Sequence, residues 1–402
     1  RQPLFANAGY LWGVTLAGAL TGFFFWGLAA RFYAPEEVGL ASAVISAAAL
    51  LSGISGLGLG IGLVRFLPGA THPRRLLNTA LTFTALVALL VAAVYLLGLG
   101  IWSPSLSVLR ANGLYLAGFL AFVVAQTLGA VLQMAFVARR RAGYALARTL
   151  IANGGRLLLV VPLAAMAAAG LAGAVALALV LSVILSLAFF LPRVEPGYRP
   201  RPRFHRPDLA LVLPYSAGNY LAGLLSQTFQ TLLPILVLEL LGAAPAGYFY
   251  IAWMLGSLLA SPGAALAGSA FAEGSNAPEG LSSVLSRAAF AGLALTAAGA
   301  AVVALGAPWL LRLFGPGYSD QASALLRWLA AAAPFAVLAQ LYFTRLRVQK
   351  RIGRLVLFSG LIAFCTIGLS AALMSRHGIA ATGLGWLAGN ALVAALALLD
   401  TR

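Results

Sequence analysis

The stretch Leu171–Asp208, LAGAVALALVLSVILSLAFFLPRVEPGYRPRPRFHRPD, decides the fold. Residues 171–191 carry no charge and match the run of about 20 apolar residues that a helix needs to cross a bilayer core. The remainder, 192–208, holds Arg193, Arg199, Arg201, Arg203 and Arg206, with prolines at 192, 196, 200, 202 and 207. Proline removes a backbone donor and clashes with the preceding turn, so no regular helix runs through this segment. An apolar rod thus ends in a basic, irregular tether.

The same alternation recurs on both sides. Apolar stretches at 8–30, 38–63, 76–100, 113–137, 145–168, 171–191, 209–238, 246–268, 284–307, 322–344, 355–375 and 379–399 predict twelve transmembrane helices. Composition agrees: 62% of the 402 residues are hydrophobic and 9% charged, at a mean hydropathy of +0.96, which excludes a soluble domain of this length.

The net charge of +17 invites a nucleic-acid reading, but the placement of the charges opposes it. Arg31, Arg110, Arg312, Arg327 and Arg376 fall in one set of alternate loops. The other set holds four times as many basic residues, among them Arg65, Arg139–Arg141, Arg148, Arg287 and Arg345–Arg354. This bias obeys the positive-inside rule and predicts a multi-pass protein of the cytoplasmic membrane with both termini in the cytoplasm. Basic loops on that side face anionic membrane lipids.

The tether divides the chain into an N-terminal lobe of six spans (1–191), a cytoplasmic Arg/Pro-rich linker (192–208) and a C-terminal lobe of six spans (209–402). Short internal matches fit this division: Arg140-Arg141-Ala142-Gly143 and Lys350-Arg351-Ile352-Gly353 each follow the fourth span of their half. An even number of spans per lobe makes the lobes point the same way. They are then related by a pseudo-two-fold along the membrane normal, with a central cavity expected between them.

Polar side chains at membrane depth need a reason, because helices satisfy their own backbones. In span seven, Tyr215, Asn219, Ser226 and Gln230 fall on one face, flanked by Tyr220 and Gln227. Such a stripe lines a wet cavity or bonds to neighbouring helices, and the sequence leaves both roles open. Arg156 reads as near mid-span in span five, on a face shared with Thr149 and Asn153. An arginine there costs about 2.5–3.5 kcal/mol, so it must face protein or water. Its planar fork suits a phosphate; pairing with helix-end carbonyls or a carboxylate is the structural alternative. Arg31, Arg65, Glu239 and Glu273 sit near span ends, where snorkelling competes with ligand contact. Gln126 and Gln133 share a face of span four and read as packing residues.

Other motifs are excluded. Gly56–Gly62 alternates glycine with leucine and isoleucine inside a span, with no preceding strand and no Walker lysine, so it is not a nucleotide loop. His72, His205 and His377 lie apart in loops, and Cys365 stands alone; no metal site, cofactor site or catalytic triad is expected, and no enzyme. None of the nine carboxylates lies at mid-span, which argues against a pump coupled through a buried acid.

The stretches Ala30-Arg31-Phe32-Tyr33-Ala34-Pro35-Glu36-Glu37-Val38-Gly39, Val64-Arg65-Phe66-Leu67-Pro68 and Leu313-Phe314-Gly315-Pro316-Gly317-Tyr318 resemble polysaccharide flippases of the multidrug/oligosaccharidyl-lipid/polysaccharide exporter superfamily. Asn219-Tyr220-Leu221-Ala222 and Phe271-Ala272-Glu273-Gly274-Ser275 are similar to its lipopolysaccharide-biosynthesis branch. The resemblance implies an alternating-access carrier of lipid-linked oligosaccharide, a polyprenyl-pyrophosphate sugar, for cell-surface polysaccharide synthesis. Glycosyltransferases or a polymerase are the implied partners. It implies cationic residues for the anionic headgroup, matched here by Arg156 and by Arg31, Arg65 and Arg287. Where relatives place an acid in span seven this chain has Gln227 and Gln230. A cation or drug antiporter of the same superfamily, or a non-transporting scaffold of a glycan-synthesis complex, are the rival expectations.

Overall fold

A computed structural model describes residues 2–276 and 280–400; the side chains of 2–9, 11, 12, 15, 16, 217–219, 221–223, 225–227, 272, 275 and 276 lie outside the described set. The described residues form helices and connecting turns, without a strand. In chain order they are α1 (Gln2–Phe32), α2 (Pro35–Gly56), α3 (Leu59–Phe66), α4 (Pro73–Leu97), the short α5 (Leu99–Trp102), α6 (Gly113–Ala138), α7 (Ala142–Val160), α8 (Ala167–Leu185) and the short α9 (Leu191–Val194). They continue as α10 (Arg206–Leu241), α11 (Ala243–Asn276), α12 (Leu281–Arg312), α13 (Pro316–Val348), α14 (Ile352–His377) and α15 (Ala380–Asp400). Among the described residues nine segments are long and apolar enough to cross a membrane. Large apolar side chains stand on the outside, Phe290 at 80% and Phe364 at 75% exposure. A lipid environment solvates such surfaces, whereas water would drive them together. Buried hydroxyls bond to the preceding turn of their own helix, as Ser55 does to the Leu51 carbonyl and Thr127 to that of Val123.

The chain divides into two compact units, residues Arg1–Leu224 and Leu225–Arg402, the division falling inside α10.

In the N-terminal unit, α2 opens on Ala34-Pro35-Glu36-Glu37. Proline suits the first helical position, and the Glu37 carboxylate accepts the Ala34 backbone N–H at 2.9 Å. Residues 38–63 are not one continuous span. Leu57 (φ 46°) and Gly58 (φ 68°) adopt left-handed conformations that end α2, and α3 restarts at Leu59. The Tyr220 hydroxyl donates to the carbonyls of Ile54 (2.7 Å) and Gly53 (3.1 Å), which the break leaves without helical partners. Glycine is required at the restart: a Cβ on Gly58 would lie 2.8 Å from the Ser216 carbonyl, and one on Gly62 only 2.3 Å from Val212. These contacts seat α3 against α10, and Leu59, Leu63, Leu132, Phe136 and Val212 form the core there.

The span expected at 145–168 is also shorter than its hydropathy. α7 ends at Val160, two residues before Pro162, and the chain turns through 161–166 before α8 begins. Pro162 takes a donor away from the helical ladder, although Val161 before it keeps helical dihedrals (φ −79°, ψ −48°). The Tyr33 hydroxyl, from the quoted ARFYAPEEVG stretch, donates to the freed Val160 carbonyl at 2.6 Å.

The Arg/Pro-rich segment runs without regular structure from Glu195 to His205 and is strapped onto α4. Asn78 is the buckle: its amide donates to the Arg199 carbonyl (3.1 Å), and its oxygen accepts the Tyr198 hydroxyl (2.7 Å) and the Arg201 N–H (3.3 Å). Arg139–Glu195 (2.6 Å) and Arg75–Asp208 (3.1 Å) are ion pairs at its two ends.

In the C-terminal unit α11 and α13 run side by side in the same direction: Gly256 lies against Leu329, Gly263 against Val337, and the Thr344 hydroxyl donates to the Ala267 carbonyl at 3.3 Å. α14 and α15 close together where Gly385 and Gly389 meet the backbone of Thr366 and Ile362. Asp400, at the end of α15, accepts the Tyr342 hydroxyl (2.9 Å) and pairs with Arg354.

Candidate functional site

Arg156 does not occupy a helix centre: it lies four residues before the end of α7, because Pro162 truncates the apolar run that suggested a longer span. Its guanidinium is stacked on Phe25 of α1, 5.0 Å from the ring centroid. Phe25 is fully buried and Arg156 half-buried. Gly22 makes room for it: a Cβ there would come within 3.7 Å of the Arg156 terminal nitrogen. A cation over a desolvated ring gains about 1–2 kcal/mol. Asn153, half-buried, precedes it by three residues and so lies on the same side of α7.

A second cationic cluster brings together two residues that sequence spacing alone does not connect. Arg65, at the end of α3, lies over the Tyr215 ring of α10 at 4.9 Å and over Phe66 at 5.9 Å, and Phe66 meets Tyr215 edge-on at 5.6 Å. Arg65 and Tyr215 are both exposed, so the guanidinium keeps its charge available while the rings fix its direction. Arg31 is exposed in the last turn of α1. Arg287 is also exposed and faces Glu273 at 3.8 Å, a solvated pair worth little. Gln230 lines a cleft within the C-terminal unit. Asn219, Ser226 and Gln227 lie on α10, but their side chains fall outside the described residues.

Two groups of polar residues escaped the sequence reading. Arg148, counted there among loop arginines, is a buried residue of α7 (8% exposed) that donates to Gln133 of α6 at 2.7 Å, with its guanidinium fitted over Gly129. Gln133 thus has the packing role expected of it. Gln340, Thr344 and Arg347, spaced i, i+4 and i+7 on α13, line the same cleft as Gln230. Their helical spacing was a legible signal, obscured because Arg347 reads as one more residue of a basic loop. Among the described residues no group of three or more His, Cys, Asp or Glu could hold a metal ion.

No protein-family model matches the sequence, and no curated protein matches it. Solved structures do match over nearly the whole chain. The lipid II flippase MurJ in an inward closed conformation aligns with a TM-score of 0.80 at 14% identity, covering 96% of this chain and 86% of that one. An inward-facing multidrug resistance MATE family transporter of the MOP superfamily aligns at 0.71 and 16% identity, covering 97% and 94%. A MOP superfamily transporter from Pyrococcus furiosus, described as having a binding pocket of reverse polarity, aligns at 0.64 and 14% identity, covering 100% and 94%. The chain therefore has a fold similar to that of these solved transporter structures.

Proposed function

We propose that the protein is an alternating-access flippase for a lipid-linked oligosaccharide, with twelve spans in two lobes of six and both termini in the cytoplasm. Charged, hydroxylated headgroups cross hydrocarbon only if the protein replaces their hydration, while the polyprenyl tail stays in lipid. Arg156 is the proposed headgroup contact, with Asn153 beside it and the Arg65–Tyr215 cluster as a further cationic contact; Arg31 and Arg287 are exposed positions that attract the anion. The observation that carries the reading is the seating of Arg156: a guanidinium mounted on a buried aromatic ring, in a chain whose fold is similar to that of a lipid II flippase. Asn219, Ser226, Gln227 and Gln230 are proposed contacts for sugar hydroxyls.

The test is outer-leaflet delivery of lipid-linked glycan by reconstituted protein carrying Arg156→Ala or Arg156→Lys. The reading expects at least a tenfold loss for Ala and partial recovery for Lys, which keeps the charge but not the fork. Wild-type transport by a folded Ala variant would remove Arg156 from the mechanism. The similarity to MATE transporters favours a second reading, a drug antiporter. Drug-stimulated ion flux in the same vesicles, without glycan-lipid transport, would establish it instead. A scaffold of glycosyltransferases would move neither.

A further inference from the structure

Within the C-terminal unit a polar furrow runs through an otherwise apolar bundle. Two adjoining chambers, of about 400 and 210 Å³, share Gln230, Gln340 and Trp386 in their walls. Together they follow α13 from Leu329 to Arg347, about 27 Å at 1.5 Å per residue. The larger volume lies within the range of about 300–1,000 Å³ usual for small-molecule sites.

The walls have a definite chemistry. Gln230 and Gln340 present side-chain amides that have no protein partner among the described residues, and each can both donate and accept. The Asn390 amide nitrogen is committed to the Trp386 carbonyl at 2.9 Å, which turns its oxygen into an acceptor for the chamber. Trp386 is held between Phe229 (5.0 Å) and Trp253 (5.6 Å), a rigid aromatic wall. Arg347 stands at one end and forms no ion pair among the described residues; none of those lining either chamber is Asp or Glu. Amide donors and acceptors suit hydroxyls, a flat aromatic face suits the C–H side of a pyranose, and an arginine fork suits an oxyanion.

We propose that this furrow is a binding site for a sugar phosphate, its phosphate on Arg347 and its ring hydroxyls on Gln230, Gln340 and Asn390 beside Trp386. It lies wholly in the C-terminal unit and does not depend on Arg156. The shared chemistry admits a free sugar phosphate or the head of a polyprenyl-linked sugar.

Gly268 supplies the test, because it lines the larger chamber and a Cβ there meets nothing within 4 Å. Gly268→Leu therefore projects a side chain into the larger chamber from a position where its first carbon meets no neighbour, whereas Gly263, tight against Val337, would not serve. Purified full-length protein in nanodiscs is titrated by calorimetry with glucose 1-phosphate, methyl glucoside, inorganic phosphate and a short-chain polyprenyl phosphoglucose. Saturable binding of glucose 1-phosphate or of the polyprenyl form is expected, and which of them binds identifies the source. Arg347→Gln should weaken it at least tenfold, and Gly268→Leu should abolish it in protein whose melting temperature is unchanged. Gly268→Ala, which adds one methyl to open space, should bind like wild type. No saturable binding of either sugar phosphate, binding indifferent to both Arg347→Gln and Gly268→Leu, or inorganic phosphate binding as tightly as the sugar phosphates would each overturn the proposal. Glycan-lipid flipping that depends on Arg156 while this titration fails would leave the proposed function standing and remove this site alone.

Discussion

Asn78→Ala should unbuckle the strap. The substitution deletes three hydrogen bonds at once and leaves the Tyr198 hydroxyl, in a residue only 3% exposed, without its acceptor. Orphaning that hydroxyl costs about 1–3 kcal/mol, and each of the other two bonds contributes about 0.5–1.5 kcal/mol, for a central value of about 4 kcal/mol. At 1.4 kcal/mol per factor of ten, local opening becomes about 700-fold more frequent. Trypsin reads that opening directly. Arg199 and Arg201 are each followed by proline, so the productive site in the strap is the Arg203–Phe204 bond, and the Arg203 N–H is itself tied to the Thr82 hydroxyl at 3.1 Å. Cleavage that waits on a fast local opening tracks the open population. Native Asn78→Ala protein should therefore be cut there about 700-fold faster than wild type. Tyr198→Phe, which removes the donor without orphaning it, should fall between them, nearer tenfold. Cleavage of Asn78→Ala at the wild-type rate would refute the idea that Asn78 holds the strap.

Three more outcomes follow from the same geometry. Gly62→Ala places a methyl 2.3 Å from Val212 and 2.6 Å from the Ser216 hydroxyl, so overpacking should cost about 1–3 kcal/mol and lower the thermal midpoint in detergent; Gly18→Ala, with nothing within 4 Å, should not lower it. Gln133→Ala strips buried Arg148 of its side-chain acceptor and should destabilise by about 1.5–3 kcal/mol, measured by denaturation; Gln133→Glu should recover most of this, and equal loss in both variants would contradict the pairing. Burial pushes the Tyr198 hydroxyl well above the ordinary tyrosine range. A group raised in the folded state favours its protonated, hydrogen-bonded form, so its contribution is complete below about pH 10 and fades only as pH climbs beyond. Tyrosinate absorbance should show a late-ionising residue that Tyr198→Phe deletes; loss of a group titrating near pH 10 would contradict it.

Much of this molecule is written in local sequence. Whether a segment belongs in hydrocarbon depends on the transfer of its own side chains, so apolar runs mark candidate spans without knowledge of neighbours. Proline acts on its own turn and the one before, so the irregular strap at 195–205 was legible from composition. The resemblance carried by the Arg31–Gly39, Arg65 and Phe314–Tyr318 stretches led to the superfamily fold that the solved structures share.

Other features needed the third dimension. Hydropathy ran through Pro162 and through Leu57-Gly58, and so merged a truncated α7 with its following turn and a broken α2–α3 with one rod. That error placed Arg156 at a helix centre instead of four residues from the end of α7, on Phe25. Arg148 and Arg347 looked like loop charges until folding set one under Gln133 and the other at the end of a furrow with Gln340. The division is physical: solvation and backbone sterics act within a few residues, whereas cavities, stacked guanidiniums and the partners of buried amides are made by side chains that meet only when distant helices pack.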